Sequence, residues 1–194
     1  MRPNFDKCEK TATKLLLRQN IGNLFIDVRK LRFDKKILFD TFQNYCRLTK
    51  TPLSRFINNE VLIDGLTIVV DNMYVVLFRD DMNYERLNWT LAHEIGHIYL
   101  NHKQGNKKEE IEAHYFAAQL LMPEIVLLDL AQKQDGITAD EISEYFHVSH
   151  TAACKRIKTI TNKYKHCMDL EEQSLLKKFQ AVPPLPYSVQ FAMG

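Results

Sequence analysis

The sequence predicts an α+β fold: a small antiparallel sheet beside long helices, one of which carries a metal-ligand pattern. Three observations lead there. Between residues 61 and 78 lie short β-branched runs, Val61-Leu62-Ile63, Leu66-Thr67-Ile68-Val69-Val70 and Tyr74-Val75-Val76-Leu77-Phe78. On both sides of them apolar residues return at helical spacing. Within the helical stretch that follows stands His93-Glu94-Ile95-Gly96-His97.

In chain order, residues 5–20 carry Ala12, Leu15, Leu16 and Leu17 among polar residues and read as an amphipathic helix ending near Asn20-Ile21-Gly22. A second helix is expected from Asp27, a suitable N-cap, to Leu48, with Leu31, Leu38, Phe42 and Tyr45 at helical spacings. Asp64-Gly65 and Asp71-Asn72-Met73 read as the hairpin turns that separate the strands. Asp80-Asp81-Met82-Asn83 closes the sheet and offers caps for a helix from Tyr84 to Asn101. The polar stretch Lys103–Lys108 is a loop, and a further helix covers Glu109–Met122. Pro123 ends that helix or starts a new one running to Lys133. Asp135-Gly136 is the clearest later break.

Composition excludes several classes. The 194 residues, 45% hydrophobic and 26% charged, can bury a real core, and six Gly and six Pro leave no low-complexity chain. Net charge is +7 over residues 1–60, −9 over 61–150 and +4 over 151–194, so the acidic middle argues against a continuous nucleic-acid track. Cys8, Cys46, Cys154 and Cys167 form no Cys-x-x-Cys pair, which disfavours a thiolate zinc site. Met1–Asp6 has no apolar segment and no run approaches the roughly 18 residues of a membrane span. A reducing cytoplasm with free thiols, and no membrane, is the expectation.

Two residues four apart on a helix differ by about 40° around its axis, so His93 and His97 share a face. Their imidazoles can converge on one Zn²⁺ at about 2.0–2.1 Å. Glu94, beside His93, can reach a water at the ion without ligating it, as general base for peptide hydrolysis. A catalytic zinc takes three protein ligands and keeps one open position. His102 is one residue short of the metzincin spacing and reads as a solvent-facing helix end. The candidates for the third ligand are Glu109, Glu110 and Glu112. Glu109 and Glu112 share a face and Glu110 points elsewhere, and an acidic first turn is also what the helix dipole favours, so spacing leaves the choice open.

Trp89-Thr90-Leu91-Ala92-His93-Glu94-Ile95-Gly96-His97, followed by Glu112-Ala113-His114-Tyr115-Phe116-Ala117-Ala118-Gln119-Leu120-Leu121-Met122-Pro123, resembles the ImmA/IrrE family of metallopeptidases. The resemblance is close over residues 88–124. It implies Glu112 as the third zinc ligand and a zincin-like, gluzincin-type domain with a small sheet beside the active-site helix. It further implies that the protein substrate is a helix-turn-helix repressor encoded on a phage or mobile element, whose cleavage relieves repression. Position 114 departs from the family: His stands where Asn is usual, two residues after Glu112 and on the opposite side of the helix, which suits a supporting or packing role.

The segment from Ile137 to Ile157 resembles a helix-turn-helix, with Thr138 and Ser149 as caps and Lys155, Arg156 and Lys158 giving the second helix a basic side. It reads better as a packing unit that shapes the cleft than as a DNA-binding module. The division is then 1–134 for the metallopeptidase domain with its N-terminal helices, 135–167 for the helical subdomain, and 168–194 for a tail with a Pro-broken apolar stretch at 180–191. The rival reading is a non-enzymatic anti-repressor or DNA-binding regulator acting through residues 138–158.

Overall fold

The computed structural model describes residues 2–161 and 168–182 of the chain. Cys167 and the Pro-rich stretch from Pro183 onward lie outside the described residues.

The first helix, α1 (Phe5–Leu17), is capped by Asn4, whose side chain accepts from the Lys7 N–H. Its stripe of Cys8, Ala12, Leu15 and Leu16 is buried, following the i, i+4, i+7 pattern of a one-sided helix. The helix expected over 27–48 is replaced by three elements. A single 3-10 turn (Val28–Lys30), capped by Asp27, comes first. Strand β1 (Ile37–Thr41) is next and helix α2 (Phe42–Thr49) follows it directly, capped by the Thr41 hydroxyl. The helical spacing of Leu31, Leu38 and Phe42 loses to a tertiary partner: Ile37 pairs with Tyr74 and Thr41 with Phe78.

That partner is β5 (Met73–Phe78), which lies between β1 and β4 (Gly65–Val70). β1 runs parallel to β5 and β4 antiparallel to it, so the sheet is mixed, not antiparallel as expected. Asp71 and Asn72 both take positive φ, 48° and 62°, in a two-residue loop whose twist matches that of the strands. The run expected as the sheet's first strand makes a separate ribbon instead, with β2 (Ile57–Asn58) paired to β3 (Val61–Leu62). Side chains along β5 alternate faces. Val75 and Leu77 pack with Phe42 and Phe56 on one side, while Val76 joins the main core on the other.

Helix α3 (Tyr84–Leu100), capped by Asn83, lies on that second face. Its Leu91, Ala92, Ile95 and Ile98 are buried. Each of the larger side chains contributes about 1.5–3 kcal/mol by burial, which fixes the rotation of α3 and so where His93 and His97 point. Helix α4 (Lys107–Leu121) packs against α3 at Gly96. A Cβ there would lie 3.1 Å from a Phe116 ring carbon and 3.2 Å from the Ala113 backbone. The glycine lets the two helices approach closely.

Beyond Pro123 come α5 (Glu124–Gln134), α6 (Ala139–Phe146), α7 (His150–Thr161) and α8 (Leu170–Gln180). Thr138 and Glu141 form a reciprocal capping box at the start of α6. His147 takes the left-handed conformation at its end, and the Ser149 hydroxyl accepts from the Ala152 N–H in the first turn of α7. Ile142, Phe146, Val148, Ala153, Leu175 and Phe179 join one buried cluster with α1, α3 and α4. Within the stretch expected as a tail, α8 is therefore a docked helix.

Arg156 does not contribute to a basic surface on α7. It is 1% exposed, its Nε donates to the Met122 carbonyl at 3.0 Å, and its Nη2 donates to Gln119. Lys155 and Lys158 remain exposed. The guanidinium ties α7 to the end of α4, where it cannot reach a phosphate. Among the described residues no single helix is long and apolar enough to cross a membrane.

Candidate metal centre

His93 and His97 project from adjacent turns of α3, and their Nε2 atoms lie 3.0 Å apart. From α4, Glu110 meets both: Oε2 is 3.3 Å from His93 Nε2 and Oε1 is 3.4 Å from His97 Nε2. One turn further along α4, the His114 ring stands 4.4 Å from that of His93. Donor atoms of His93, Glu110 and His114 all lie within 4.8 Å of one another. Ligands about 2.0–2.1 Å from a tetrahedral zinc are about 3.3 Å apart, so the separations among His93, His97 and Glu110 suit one such ion. The donor set, two imidazoles and a carboxylate, is also one that zinc accepts with a position left free. The buried Nδ1 of His93 has no hydrogen-bond partner among the described residues.

Burial lowers the pKa of His93 to about 3, with the neighbouring His114, His97 and His102 acting in the same direction. Burial also lowers His97 and His114, against the opposing charge of Glu110. His93 is therefore uncharged at neutral pH and keeps a lone pair for a metal. The cluster opens onto a cleft of about 620 Å³ whose wall includes Gly65, Thr67, Trp89 and Glu94.

Glu94 lies on the sheet side of α3, where β4 runs flush against the helix. A Cβ on Gly65 would come within 2.6 Å of Thr90 Cγ2 and 3.3 Å of Glu94 Cγ, so only glycine permits this approach. The close packing brings the Thr67 hydroxyl to Glu94, where it donates to Oε2 at 2.6 Å. Burial raises the pKa of Glu94 and the Thr67 hydrogen bond opposes that rise. A carboxylate held this way is placed and poised to take a proton.

The structure does not bring Glu112, the ligand implied by the resemblance, to the histidine pair. Its Oε1 accepts from the Asn4 N–H at 2.7 Å, its Oε2 lies 3.1 Å from His102 Nε2, and Lys108 Nζ is 3.5 Å away. Burial works to raise its pKa, but those partners outweigh it and hold the carboxyl below its ordinary value. Two further readings are corrected. Glu110, expected to point elsewhere, faces both histidines. His102, expected at the solvent, has a side chain only 5% exposed and its Nδ1 is 3.1 Å from His97 Nδ1. Residues two apart on a helix cannot share a face, and the packing of Ala113 against Gly96 turns Glu110 and His114 toward α3. The signal was present in the spacing: Glu110 and His114 are four apart, as are His93 and His97.

A model of the Peptidase_M78 family, the IrrE N-terminal-like domain, matches residues 44–158. The chain belongs to that family. The match runs from within α2 into α7, so it includes β4 and β5 of the sheet but not β1, both helices of the cluster and the cleft between them. An M78 peptidase has a metallopeptidase-type function and acts on a protein, which agrees with the donor cluster and the resemblance in the sequence. No curated protein matches the chain.

Proposed function

We propose that this M78 peptidase is a zinc-dependent, site-specific endopeptidase that cuts a helix-turn-helix repressor and so relieves repression. The observation that carries the chemistry is the convergence of His93 Nε2, His97 Nε2 and the Glu110 carboxylate at 3.0–3.4 Å. These three residues would hold the ion, in place of the His93, His97 and Glu112 set that the sequence resemblance implied. When bound, zinc supplies a Lewis acid that acidifies water and polarises a peptide carbonyl.

The remaining steps fall to the protein. Glu94 accepts the proton of the attacking water and returns it to the departing amine. The Thr67 hydroxyl holds one Glu94 oxygen and leaves the other to reach the reacting atoms. β4 is one of the two edge strands of its sheet, and Leu66 and Val69 line the cleft. An extended substrate segment can add to that edge through main-chain hydrogen bonds, beside Glu94. The repressor as substrate, and its origin on a phage or mobile element, rest on the ImmA/IrrE resemblance. Cytoplasmic action is in keeping with the free thiols of Cys8, Cys46 and Cys154. The burial of Arg156 weighs against the rival, DNA-binding reading of residues 138–158.

The test is to incubate the zinc-loaded protein with purified helix-turn-helix repressors and to locate any cut by mass spectrometry. One specific cut is expected in one repressor or a few related ones, stopped by a chelator and restored by added zinc. Cleavage that survives complete removal of metal, or the absence of cleavage of any repressor, would refute the proposal.

A further inference from the structure

We propose that Glu112 and His102 are positioning residues that decide which nitrogen of His97 carries its proton, and so present a bare Nε2 to the metal. The inference rests on the reading of His97 as a ligand, and it gives work to two buried residues that the hydrolytic scheme leaves unused.

The direction of the chain follows from its fixed end. Glu112 Oε1 accepts a main-chain N–H, that of Asn4, which can only donate. With Lys108 Nζ 3.5 Å from the same oxygen, Glu112 is held as a carboxylate, an acceptor at both oxygens. His102 Nε2, 3.1 Å from Glu112 Oε2, must therefore be the donor. A ring with one proton that donates from Nε2 has a lone pair at Nδ1. That lone pair is 3.1 Å from His97 Nδ1, which in turn must donate. The proton of His97 is then committed to Nδ1, and its Nε2, facing His93 and Glu110, is free to bind an ion. The side chains of His102 and Glu112 are only 5% and 8% exposed, so water competes little for these bonds.

The chain also ties the N-terminal helix to the site. Asn4 caps α1 with its side chain and donates its N–H to Glu112, while Lys7 Nζ donates to the Leu100 carbonyl at the end of α3. The entry of α1, far from the metal in sequence, thereby holds the outer end of the chain. His93 has no such support among the described residues, since its Nδ1 is unpartnered. The two imidazoles are supported unequally.

The experiment has a spectroscopic arm and a binding arm. ¹⁵N NMR of the zinc-free protein, labelled at histidine, reads the proton position of each ring. Wild type should show His97 protonated at Nδ1, and His102→Gln or Glu112→Gln should move it toward a mixture of both forms. Zinc affinity, measured by competition with a chromophoric chelator, should fall about 10–100-fold in either variant, with zinc stoichiometry retained at saturation. Because both act through one chain, the double variant should be little weaker than the weaker single one. Glu112→Gln keeps the side chain's size and an oxygen for the Asn4 N–H, and a circular dichroism spectrum checks that each variant folds. An unchanged His97 proton position, or affinities within twofold of wild type, would overturn the inference while leaving the metal site intact. Zinc stoichiometry abolished by Glu112→Gln but retained by Glu110→Gln would instead make Glu112 the ligand, and would overturn both readings.

Discussion

Glu94→Gln is expected to bind zinc as wild type does and yet to lose cleavage by about 10²–10⁴-fold, the range that a positioned general base supplies. Glutamine matches the shape of glutamate, and its amide oxygen still accepts from the Thr67 hydroxyl, so the bond that places the side chain survives. It cannot take a proton from water at any pH near neutral. Glu94 makes none of the close approaches among His93, His97 and Glu110, so the metal should be unaffected. Zinc content by mass spectrometry, together with the cleavage rate of the repressor found to be cut, checks both halves. Retained cleavage would remove Glu94 from the mechanism, and lost zinc would make it part of the metal site.

The second large effect is expected at Glu110. Glu110→Ala removes both oxygens that face the two imidazoles and the only negative charge among the proposed ligands. Zinc affinity should fall by on the order of 10³-fold or more, beyond the 10–100-fold typical when a supporting partner of a ligand is removed. Glu110 is 45% exposed at its side chain and lies in the first turn of α4, so its loss should leave the fold intact. The contrast with Glu112→Gln separates the two acids, since only Glu110 is proposed to touch the ion. Isothermal titration with zinc into chelator-stripped protein measures it, and a loss below tenfold would show that Glu110 is not a ligand.

The halves of the site differ in how far local sequence determines them. His93, Glu94 and His97 were legible because their relative directions depend only on the pitch of one helix. The proposed third ligand, Glu110, was not, because its direction depends on how a second helix is rotated. That rotation is set by Gly96 against Ala113 and Phe116, a contact between residues that no spacing rule along α4 reveals. The resemblance pointed to Glu112 because its quoted motif begins there, and the buried bonds to Asn4 and His102 give that residue a different environment.

The fold divides in the same way. Helices α3, α4, α5, α6 and α7 were visible from periodicity and caps, and Asp71-Asn72 announced the one tight hairpin of the main sheet. β1 was hidden because its stabilising partner, β5, comes more than thirty residues later, and because α2 follows with no breaker between. Arg156 looked like a surface cation for a similar reason. Its acceptors, the Met122 carbonyl and Gln119, come from another helix, and their convergence, with the buried Glu124 carboxylate 4.0 Å away, makes a buried guanidinium tolerable.

His93, His97 and Glu110 are proposed to share one ion. Anomalous diffraction at the zinc edge, from crystals of the zinc-loaded protein, addresses it most directly. A single strong peak is expected, bonded to Nε2 of both histidines and to the Glu110 carboxylate, with Glu112 still on His102 and Asn4. A peak bonded to Glu112, or no peak between α3 and α4, would contradict it.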